Sequence, residues 1–407
     1  MPRQVHPPGH RWPASTLSAI LARAGQLLPQ PPALIISQPE YNGRVTSFSR
    51  SNRRQFLQGK SAAEAVSHLL DRGLPPGELQ AAAPRDSYLI QFGRRAMACQ
   101  FEVFFNAGQY ADAADAAVHA FELIDRLEAQ MTVFRDNSEI AVINRGAGRQ
   151  PVEVEPRLFE LLRRALELHE QTDGALDITS GPLTKAWGFY RRQGAIPADA
   201  DLAEALDRVG SQYVRLDDFA RSIQFLKPGM ELNLGAIGKG YALDRAAAEL
   251  LGAGIDDFLW HGGNSSVLAR GSCGLAGGDG WKVDLRHPLR PERTIAEIRL
   301  RDRALGTSGA GTQFFRHGGR RYGHLLDPRT GQPAEGVFSA SVLASNAADA
   351  DALATALYVL GPERAAAWCR EHPQIGLLMV VPGAGAKQIE VVTAGLSPDE
   401  YTPVADT

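Results

Sequence analysis

The sequence predicts a single domain of mixed helices and strands, an α+β or mixed α/β fold, over residues 86–395. Three observations support this prediction. Two segments have the apolar spacing of amphipathic helices, a series of short runs is rich in β-branched and aromatic residues, and no linker-like break interrupts their succession. The composition, 44% hydrophobic and 22% charged, is typical of a globular protein of this length. One large domain or two smaller ones could bury a core here, and the unbroken succession favours one.

Residues 1–85 are expected to form a flexible N-terminal extension, because they are rich in Pro, Gln, Ser and Arg and show no sustained apolar period. Residues 51–57 resemble a twin-arginine export motif around Arg53 and Arg54. The charged residues Lys60 and Glu64 stand where an export signal has its apolar segment. We therefore expect a cytoplasmic protein, with twin-arginine export to the periplasm as the alternative.

Helices are predicted at four places by apolar positions that recur every three or four residues. They cover residues 111–130, 156–169, 241–251 and 350–360, the last ended by Gly361 and Pro362. Strands are predicted by short apolar or alternating runs at residues 100–105, 213–216, 223–226, 281–285, 294–300, 339–344, 376–381 and 389–392. Residues 396–407 are expected to form a C-terminal tail.

Charge and cysteine content exclude several classes of protein. With 43 Lys and Arg against 46 Asp and Glu, the formal charge is −3, which argues against a dedicated nucleic-acid binder. No apolar run reaches the length of a membrane span. The three cysteines lie far apart, so neither a disulfide framework nor a cysteine-based zinc site is indicated.

A glycine-rich turn with a lysine precedes the predicted helix at 241–251. Residues 233–241 contain Gly235, Gly238, Lys239 and Gly240. Such a turn offers backbone amides and a cation to phosphate oxygens, or it lets a helix pack closely against its neighbour. The spacing matches neither the P-loop nor the dinucleotide fingerprint, so both readings stay open.

The predicted helix at 350–360 carries a carboxylate in apolar surroundings. Asp351 and Thr355 lie four residues apart and share one face, opposite a stripe of leucines. A covered carboxylate must be hydrogen-bonded, paired or bound to a cation. Two hard oxygen ligands one turn apart suit Mg²⁺. The alternative is that helix N-terminal amides satisfy Asp351.

His324 is the candidate general base, because an imidazole can accept a hydroxyl proton near neutral pH. The neighbouring Asp327 begins an Asp-Pro-Arg-Thr-Gly turn, where a capping role is expected. Asp177 lies near Trp187 and Phe189 in sequence. This places a carboxylate beside aromatic surface, which serves either core packing or stacking on a planar ligand.

Taken in order, these segments resemble the family of ApbE-type FAD:protein FMN transferases over residues 94–392. The motifs that carry the resemblance are residues 131–139 with Asn144, Gly-Ala-Leu-Asp at 174–177, Trp-Gly-Phe at 187–189, residues 235–244, Thr-Ser-Gly at 307–309, residues 324–333, and Asp351 with Thr355. Each motif is weak alone, and their order makes the match specific.

The resemblance implies a magnesium-dependent reaction that moves FMN from FAD to a threonine side chain of an acceptor flavoprotein and releases AMP. It also implies that FAD binds in a cleft between two subdomains. By the same resemblance, Asp351, Thr355 and the carbonyl of Ala236 hold Mg²⁺, and His324 is the base. The residues implied to contact the dinucleotide are Met97, Phe134, Ala175, Leu176, Asp177, Asn233 and Lys239.

The chain departs from the family pattern at four places. Met97-Ala98-Cys99 stands where the family has Met-Gly-Thr, Phe134 replaces a tyrosine, and Asn233 and Asn264 replace aspartates. An asparagine keeps an acceptor oxygen but loses the charge, so Asn233 weakens the case for a second metal ion. Two other functions stay open: a metal-dependent FAD pyrophosphatase that yields FMN and AMP, in which water attacks instead of threonine, and a non-catalytic FAD-binding protein, which only the asparagine substitutions favour.

Overall fold

The computed structural model describes residues 89–274, 278–309, 311, 313–385 and 388–404. The predicted extension at 1–85, with its twin-arginine motif, lies outside these residues. Within the described part of the chain, no helix has both the length and the apolar character needed to cross a membrane.

The described residues form both helices and strands, which confirms the predicted mixed fold. The α-helices are α1 (Ala113–Met131), α2 (Glu139–Gly146), α3 (Pro156–Gln171), α4 (Gly181–Ala186), α5 (Asp199–Asp207), α6 (Gly238–Gly252), α7 (Ala347–Leu360) and α8 (Pro362–Glu371). The strands are β1 (Leu89–Ala96), β2 (Cys99–Asn106), β3 (Val152–Glu153), β4 (Val214–Asp217), β5 (Ser222–Phe225), β6 (Phe258–Gly262), β7 (Ser266–Arg270), β8 (Trp281–His287), β9 (Arg290–Leu300), β10 (Ala304–Gly309), β11 (Phe314–His317), β12 (Arg320–Gly323), β13 (Ser339–Ala344), β14 (Gly376–Pro382), β15 (Ile389–Ala394) and β16 (Tyr401–Pro403).

An eight-stranded antiparallel sheet organises the molecule, in the order β1-β2-β6-β7-β10-β13-β14-β15. Helices α6 and α7 pack on one face together with α1. The three-stranded sheet β16-β9-β8 covers the other face. Strand β14 shows why its sequence is apolar at every position: Leu377 and Met379 enter the core beneath the helices, whereas Leu378 and Val380 enter the core between the sheets.

Two glycines bring helix α7 into close contact with its neighbours. A Cβ atom on Gly240 of α6 would lie 1.9 Å from the carbonyl oxygen of Ala347, and one on Gly306 of β10 would lie 2.3 Å from that of Ala350. Any side chain at either position would push α7 away. The first turn of α7 is fixed by Asp244, whose carboxylate accepts 2.8 Å hydrogen bonds from the amides of Ala347 and Ala348. Sheet, α6 and α7 thus meet at the N-terminal end of α7.

Two smaller sheets complete the fold. The strands β3-β5-β4 form a three-stranded sheet, and β11 and β12 form a two-stranded ribbon. The segment after residue 395, predicted as a tail, contributes β16, which pairs with β9. Leu396 and Tyr401 pack against the core between the sheets. The apolar residues after position 395 do not alternate with polar ones, so the sequence did not predict a strand there. Pairing with β9 places this segment.

Candidate active site

Asp351 lies buried in the first turns of α7, where that helix meets α6 and β7. One of its carboxylate oxygens, Oδ2, accepts a hydrogen bond from the Gly240 amide at 2.8 Å and another from the Ser266 hydroxyl at 2.8 Å. Burial raises the pKa of Asp351, and the two donors and the charge of Lys239 oppose that rise. Both bonds end on Oδ2, and within the described part of the chain no hydrogen bond ends on Oδ1, so its lone pairs could bind a cation.

Lys239 supplies the positive charge of the site. Its ammonium donates to the Ser265 hydroxyl at 2.6 Å. Burial has the largest effect on the pKa of Asp351, His324 and Cys99, and the charge of Lys239 acts on all three to lower it. The structure therefore brings Lys239, Asp351 and His324, which are far apart in sequence, into one electrostatic neighbourhood.

Thr355 lies one helical turn after Asp351 on α7. The Thr355 hydroxyl lies 3.4 Å from the Asp351 carbonyl oxygen and 2.9 Å from the hydroxyl of Ser308 on β10. Among the described residues, no backbone hydrogen bond outside helices and strands ends on the carbonyl of Ala236. No group of three or more His, Cys, Asp or Glu side chains in this part of the chain is arranged to hold a metal ion. One carboxylate with a hydroxyl and a carbonyl is a donor set that fits Mg²⁺ rather than zinc.

His324 follows strand β12 directly and is held as a neutral base. Its Nδ1 lies 3.0 Å from the carbonyl oxygen of Gln313. A carbonyl only accepts, so Nδ1 carries the proton and Nε2 keeps a lone pair. Burial lowers the pKa of His324, the Gln313 carbonyl opposes this, and Lys239 lowers it further. The ring of Phe189 packs against the imidazole with centroids 6.4 Å apart.

The segment Met97-Ala98-Cys99 forms the tight turn between β1 and β2. Met97 and Ala98 have φ angles of 48° and 61°, in the region that favours glycine, which explains the glycine of the family pattern at position 98. Burial raises the pKa of the Cys99 thiol to about 11. Cys99 is therefore a neutral thiol near Lys239 and Asp351. Met97 packs against the main core.

The segment 175–177 is largely internal. The side chains of Ala175 and Leu176 are 1% and 2% exposed and belong to the main core, so a nucleotide would meet their backbone. The Asp177 carboxylate accepts hydrogen bonds from Thr179 and Ser211 and lies 3.2 Å from His169. Burial would raise the pKa of Asp177, but the donors His169 and Thr179 hold it below its ordinary value. Its carboxylate is fully occupied and secures the loop.

Asn233 closes the start of the glycine-rich turn. Its side-chain oxygen accepts a hydrogen bond from the backbone amide of Gly235 at 2.9 Å. Its backbone amide donates to the carbonyl of Ile178 at 2.6 Å. The amides of Ile237 and Gly238 both donate to the carbonyl of Leu234. Gly240 thus lets α6 pack closely against α7. Most backbone amides of the turn already donate hydrogen bonds within the protein. Lys239, rather than a set of amides, is the group available to phosphate.

Phe134 offers the exposed aromatic surface of the region. Its side chain is 68% exposed, and its ring lies against that of Tyr190 with centroids 4.7 Å apart. The Tyr190 hydroxyl donates to the Val133 carbonyl at 3.0 Å, and the Lys185 ammonium lies 5.3 Å from the Tyr190 ring centroid. Such a ring can stack on a planar heterocycle.

Four residues of this region carry no sequence signal that marks them. Ser265 and Ser266 hold Lys239 and Asp351, Gln313 sets the tautomer of His324, and Tyr190 supports Phe134. A serine or a backbone carbonyl has no characteristic spacing, so only the fold reveals these contacts. Chemically, the arrangement combines a neutral base, a fixed cation and a buried carboxylate, groups that can accept a proton and stabilise negative charge.

Comparison with known proteins identifies the family. A model of the ApbE family matches residues 97–379. A protein of Treponema pallidum (strain Nichols) described as "FAD:protein FMN transferase" is 36% identical over 295 residues, which cover 67% of this chain and 80% of that protein. A protein of Klebsiella pneumoniae (strain 342) with the same description is 33% identical, covering 65% of this chain and 81% of that protein.

Solved structures agree with this assignment. The ApbE protein of Thermotoga maritima superposes with a TM-score of 0.67 at 30% identity, covering 75% of this chain and 97% of that one. The flavin transferase ApbE from Vibrio cholerae gives a TM-score of 0.67 at 26% identity, covering 76% and 97%. From the family match, the relatives and the shared fold, it follows that this chain belongs to the ApbE family and is a transferase.

Proposed function

We propose that this chain transfers FMN from FAD to a threonine hydroxyl of an acceptor flavoprotein, releases AMP and depends on Mg²⁺. The observation that carries the proposal is the convergence of Lys239, Asp351 and a neutral His324. A pyrophosphate brings negative charge that needs a cation, and a hydroxyl nucleophile needs a base. The relatives named as FAD:protein FMN transferases support this choice of substrate.

His324 acts first on the acceptor. Its Nε2 accepts the proton of the threonine Oγ, while the Gln313 carbonyl holds the proton on Nδ1. The threonine oxygen forms a bond to the phosphorus on the FMN side of the pyrophosphate. The bond from that phosphorus to the bridging oxygen breaks, and AMP leaves with the oxygen. Lys239 stabilises the charge on the phosphate oxygens.

Asp351, Thr355 and the carbonyl of Ala236 are the residues that would hold Mg²⁺. When bound there, the ion neutralises the charge that develops on the departing phosphate. The Gly240 amide and the Ser266 hydroxyl fix one oxygen of Asp351, so the carboxylate is oriented before any cation arrives. Asn233 is engaged with the Gly235 amide and adds no charge, which supports a single ion.

The test is a labelling experiment with matched peptides. The protein is incubated with FAD, Mg²⁺ and a peptide that contains one threonine, and in parallel with the same peptide carrying valine at that position. We expect the threonine peptide alone to gain the mass of FMN less one water, with AMP in equal amount. Release of FMN and AMP with neither peptide labelled would instead establish a pyrophosphatase, and absence of AMP would establish a binding protein.

A further inference from the structure

The side chain of Gln313 links the proposed base to a segment that is distant in sequence. Its Nε2 donates a hydrogen bond to the backbone carbonyl of Phe189 at 3.2 Å. The backbone carbonyl of the same glutamine accepts from His324 twice, from the backbone amide at 3.2 Å and from Nδ1 at 3.0 Å. Gln313 therefore holds both the backbone and the imidazole of His324, and its own side chain is held by Phe189.

Phe189 closes this set of contacts. Its ring packs against the imidazole of His324 with centroids 6.4 Å apart and an interplanar angle of 73°, which is an edge-to-face arrangement. Phe189, Gln313 and His324 thus each contact the other two, and we call these three residues the support triangle. Because each member is held by both of the others, the loss of one contact leaves the remaining two less constrained.

The Phe189 carbonyl that accepts from Gln313 is itself well anchored. Phe189–Arg191 form a 3₁₀-helical turn, and the amide of Arg192 donates to the same carbonyl at 3.0 Å. The Phe189 side chain is 5% exposed, and its ring packs against that of Phe315 with centroids 5.7 Å apart. A buried ring and a second hydrogen bond therefore fix the position of the acceptor for the Gln313 amide.

Trp187 attaches the same segment to the chain around His324. Its Nε1 donates at 2.7 Å to the carbonyl of Gly331, in the turn that follows His324. Its ring packs against that of Tyr322, in the strand that precedes His324, with centroids 5.8 Å apart. The segment 187–192 therefore contacts the chain on both sides of His324.

The direction of the imidazole decides whether it can act as a base. A general base accepts a proton only when its lone pair lies within hydrogen-bond reach of the hydroxyl. In His324 this lone pair is on Nε2, because Nδ1 carries the proton that is donated to Gln313. The hydrogen bond to Gln313 and the packing of Phe189 both oppose rotation of the ring. A misplacement on the order of 1 Å at a reacting group can cost about 100-fold in rate.

From these contacts, we propose that Gln313 is a positioning residue for the transfer reaction. Its side-chain amide, bound to the Phe189 carbonyl, fixes the backbone carbonyl that orients the imidazole of His324. The inference rests on the proposed function, which assigns His324 as the base. Since Gln313 acts through His324, the rate of the chemical step should depend on its side chain, and FAD binding should not.

Gln313→Met removes the amide donor and nearly keeps the length of the side chain. We expect kcat for transfer to fall by about 10- to 100-fold, with the KM for FAD unchanged. The hydrogen bond to Gln313 raises the pKa of His324, whereas burial and the charge of Lys239 lower it. A weaker bond should therefore lower this pKa further and move the acid limb of the rate profile to lower pH. A change that only destabilised the fold would not move this limb.

Gln109→Met is the matched control. Gln109 is also half-buried, and its amide donates to Asp257, which lies just before β6, whereas Ser265 lies after that strand. This variant should keep the wild-type kcat and pH profile. Gln313→Asn, whose side chain is too short to reach the Phe189 carbonyl, repeats the test in case Gln313→Met does not fold. Wild-type kcat and pH profile in a folded Gln313 variant would overturn the proposal.

Nitrogen NMR tests the orientation of His324 without any substrate. In protein with ¹⁵N-labelled histidine, the His324 signals are identified by their loss in His324→Ala. We expect a protonated Nδ1 and an unprotonated Nε2 in wild type, and shifts averaged between the two tautomers in Gln313→Met. Identical shifts in both proteins would contradict the proposal. If the shifts change as expected but wild type releases no AMP, the proposed function is wrong and the role of Gln313 in orienting His324 stands.

Discussion

Burial displaces the pKa values of the two central residues in opposite directions. The pKa of Asp351 is raised and that of His324 is lowered, so each is pushed toward its neutral form. Neutrality suits His324, which has to accept a proton. It does not suit Asp351, which lies beside Lys239 and, among the described residues, accepts side-chain hydrogen bonds on Oδ2 only. A bound cation would therefore stabilise the ionised carboxylate of Asp351.

Replacement of His324 by alanine tests its role as base. We expect transfer to fall by about 100- to 10,000-fold, the usual contribution of a general base, with FAD affinity unchanged. Because the base must be neutral and its pKa is lowered, the wild-type rate should fall only below pH of about 6.5, the ordinary value of histidine. Transfer is measured after a fixed time at pH values from 5 to 8, in steps of about half a pH unit, and gives this profile.

The control for this variant is His119→Ala, since His119 is an exposed histidine on α1. It should keep the wild-type rate and pH profile. A His324→Ala variant that transfers FMN as fast as wild type would show that His324 is structural.

Asp351→Asn tests the cation site. Asparagine has the same shape and can still accept the bonds from Gly240 and Ser266, but it lacks the charge. A carboxylate with a raised pKa loses stability as pH rises through that pKa, so the variant should be at least as stable as wild type at neutral pH without metal. Transfer should be abolished, and Mg²⁺ should no longer raise the melting temperature.

Asp349→Asn is the matched control on the same helix. The Asp349 carboxylate accepts two 3.0 Å hydrogen bonds from Arg164 and another from Asn346. This variant should lose about 1–2 kcal/mol of stability, as expected for hydrogen bonds to a charged group, and keep its response to Mg²⁺. If both variants respond to Mg²⁺ like wild type, Asp351 is a structural carboxylate and the metal lies elsewhere.

Sequence reasoning reached those residues of the region whose chemistry is visible in a pattern. Asp351 and Thr355 share a helical face, and Lys239 stands in a glycine-rich turn, so spacing marks them. Ser266, by contrast, acts only because β7 runs beside α7, across 85 residues of chain. The dinucleotide contact of Asp177 stays a prediction, and what the pattern did not reveal is that its carboxylate accepts hydrogen bonds from Ser211 and Thr179. Such long-range contacts leave no local signal.

At the scale of elements, close packing of α6, α7 and β10 brings the site together. The glycines at 240 and 306 let the backbone of α7 approach both neighbours, and Asp244 caps that helix from α6. The Gly240 amide then reaches Asp351. The contact of α6 with α7 at Gly240 therefore both stabilises the fold and orients the carboxylate of Asp351.

Gly240→Ala tests this contact. The added Cβ would meet the Ala347 carbonyl at 1.9 Å, so α7 has to shift, and overpacking of this kind costs about 2–3 kcal/mol. Thermal or urea unfolding gives the value. Gly252→Ala, in the same helix, has no atom within 4 Å of its Cβ and should gain up to about 1 kcal/mol. Equal effects of both substitutions would refute the close-packing account.

The predicted elements agree with the structure where periodicity is strong. The helices expected at 111–130, 156–169, 241–251 and 350–360 are α1, α3, α6 and α7, with ends that differ by three residues or fewer. Eight of the described strands were not predicted, namely β1, β3, β6, β7, β10, β11, β12 and β16. Strand β10 reads Ala-Leu-Gly-Thr-Ser-Gly, which signals a turn, and only pairing with β7 and β13 makes it a strand.

At the scale of the whole molecule, one sheet separates two cores. The larger core lies under the helices and the smaller one between the two sheets, and the described members of both lie between residues 89 and 404. Asp351, Lys239 and His324 come from different parts of the chain and depend on the larger core for their relative positions. The domain should therefore function as a unit.

Removal of residues 1–80 tests this expectation. We expect the shortened protein to melt cooperatively within about 2 °C of the full chain, because both cores remain, and to bind FAD with equal affinity. Differential scanning calorimetry and FAD titration are the measurements. A broad transition or lost FAD binding would show that the N-terminal residues belong to the domain.

The most direct test of the proposed transfer is to follow the fate of the phosphorus–oxygen bonds in ¹⁸O-labelled water. FAD, Mg²⁺ and the threonine peptide are incubated with the protein, and AMP, FMN and peptide are weighed by mass spectrometry. If the threonine oxygen is the nucleophile, AMP and FMN-peptide form in equal amounts and neither contains ¹⁸O. If ¹⁸O appears in free FMN or in AMP while the peptide stays unlabelled, water is the nucleophile and the chain is not an FMN transferase.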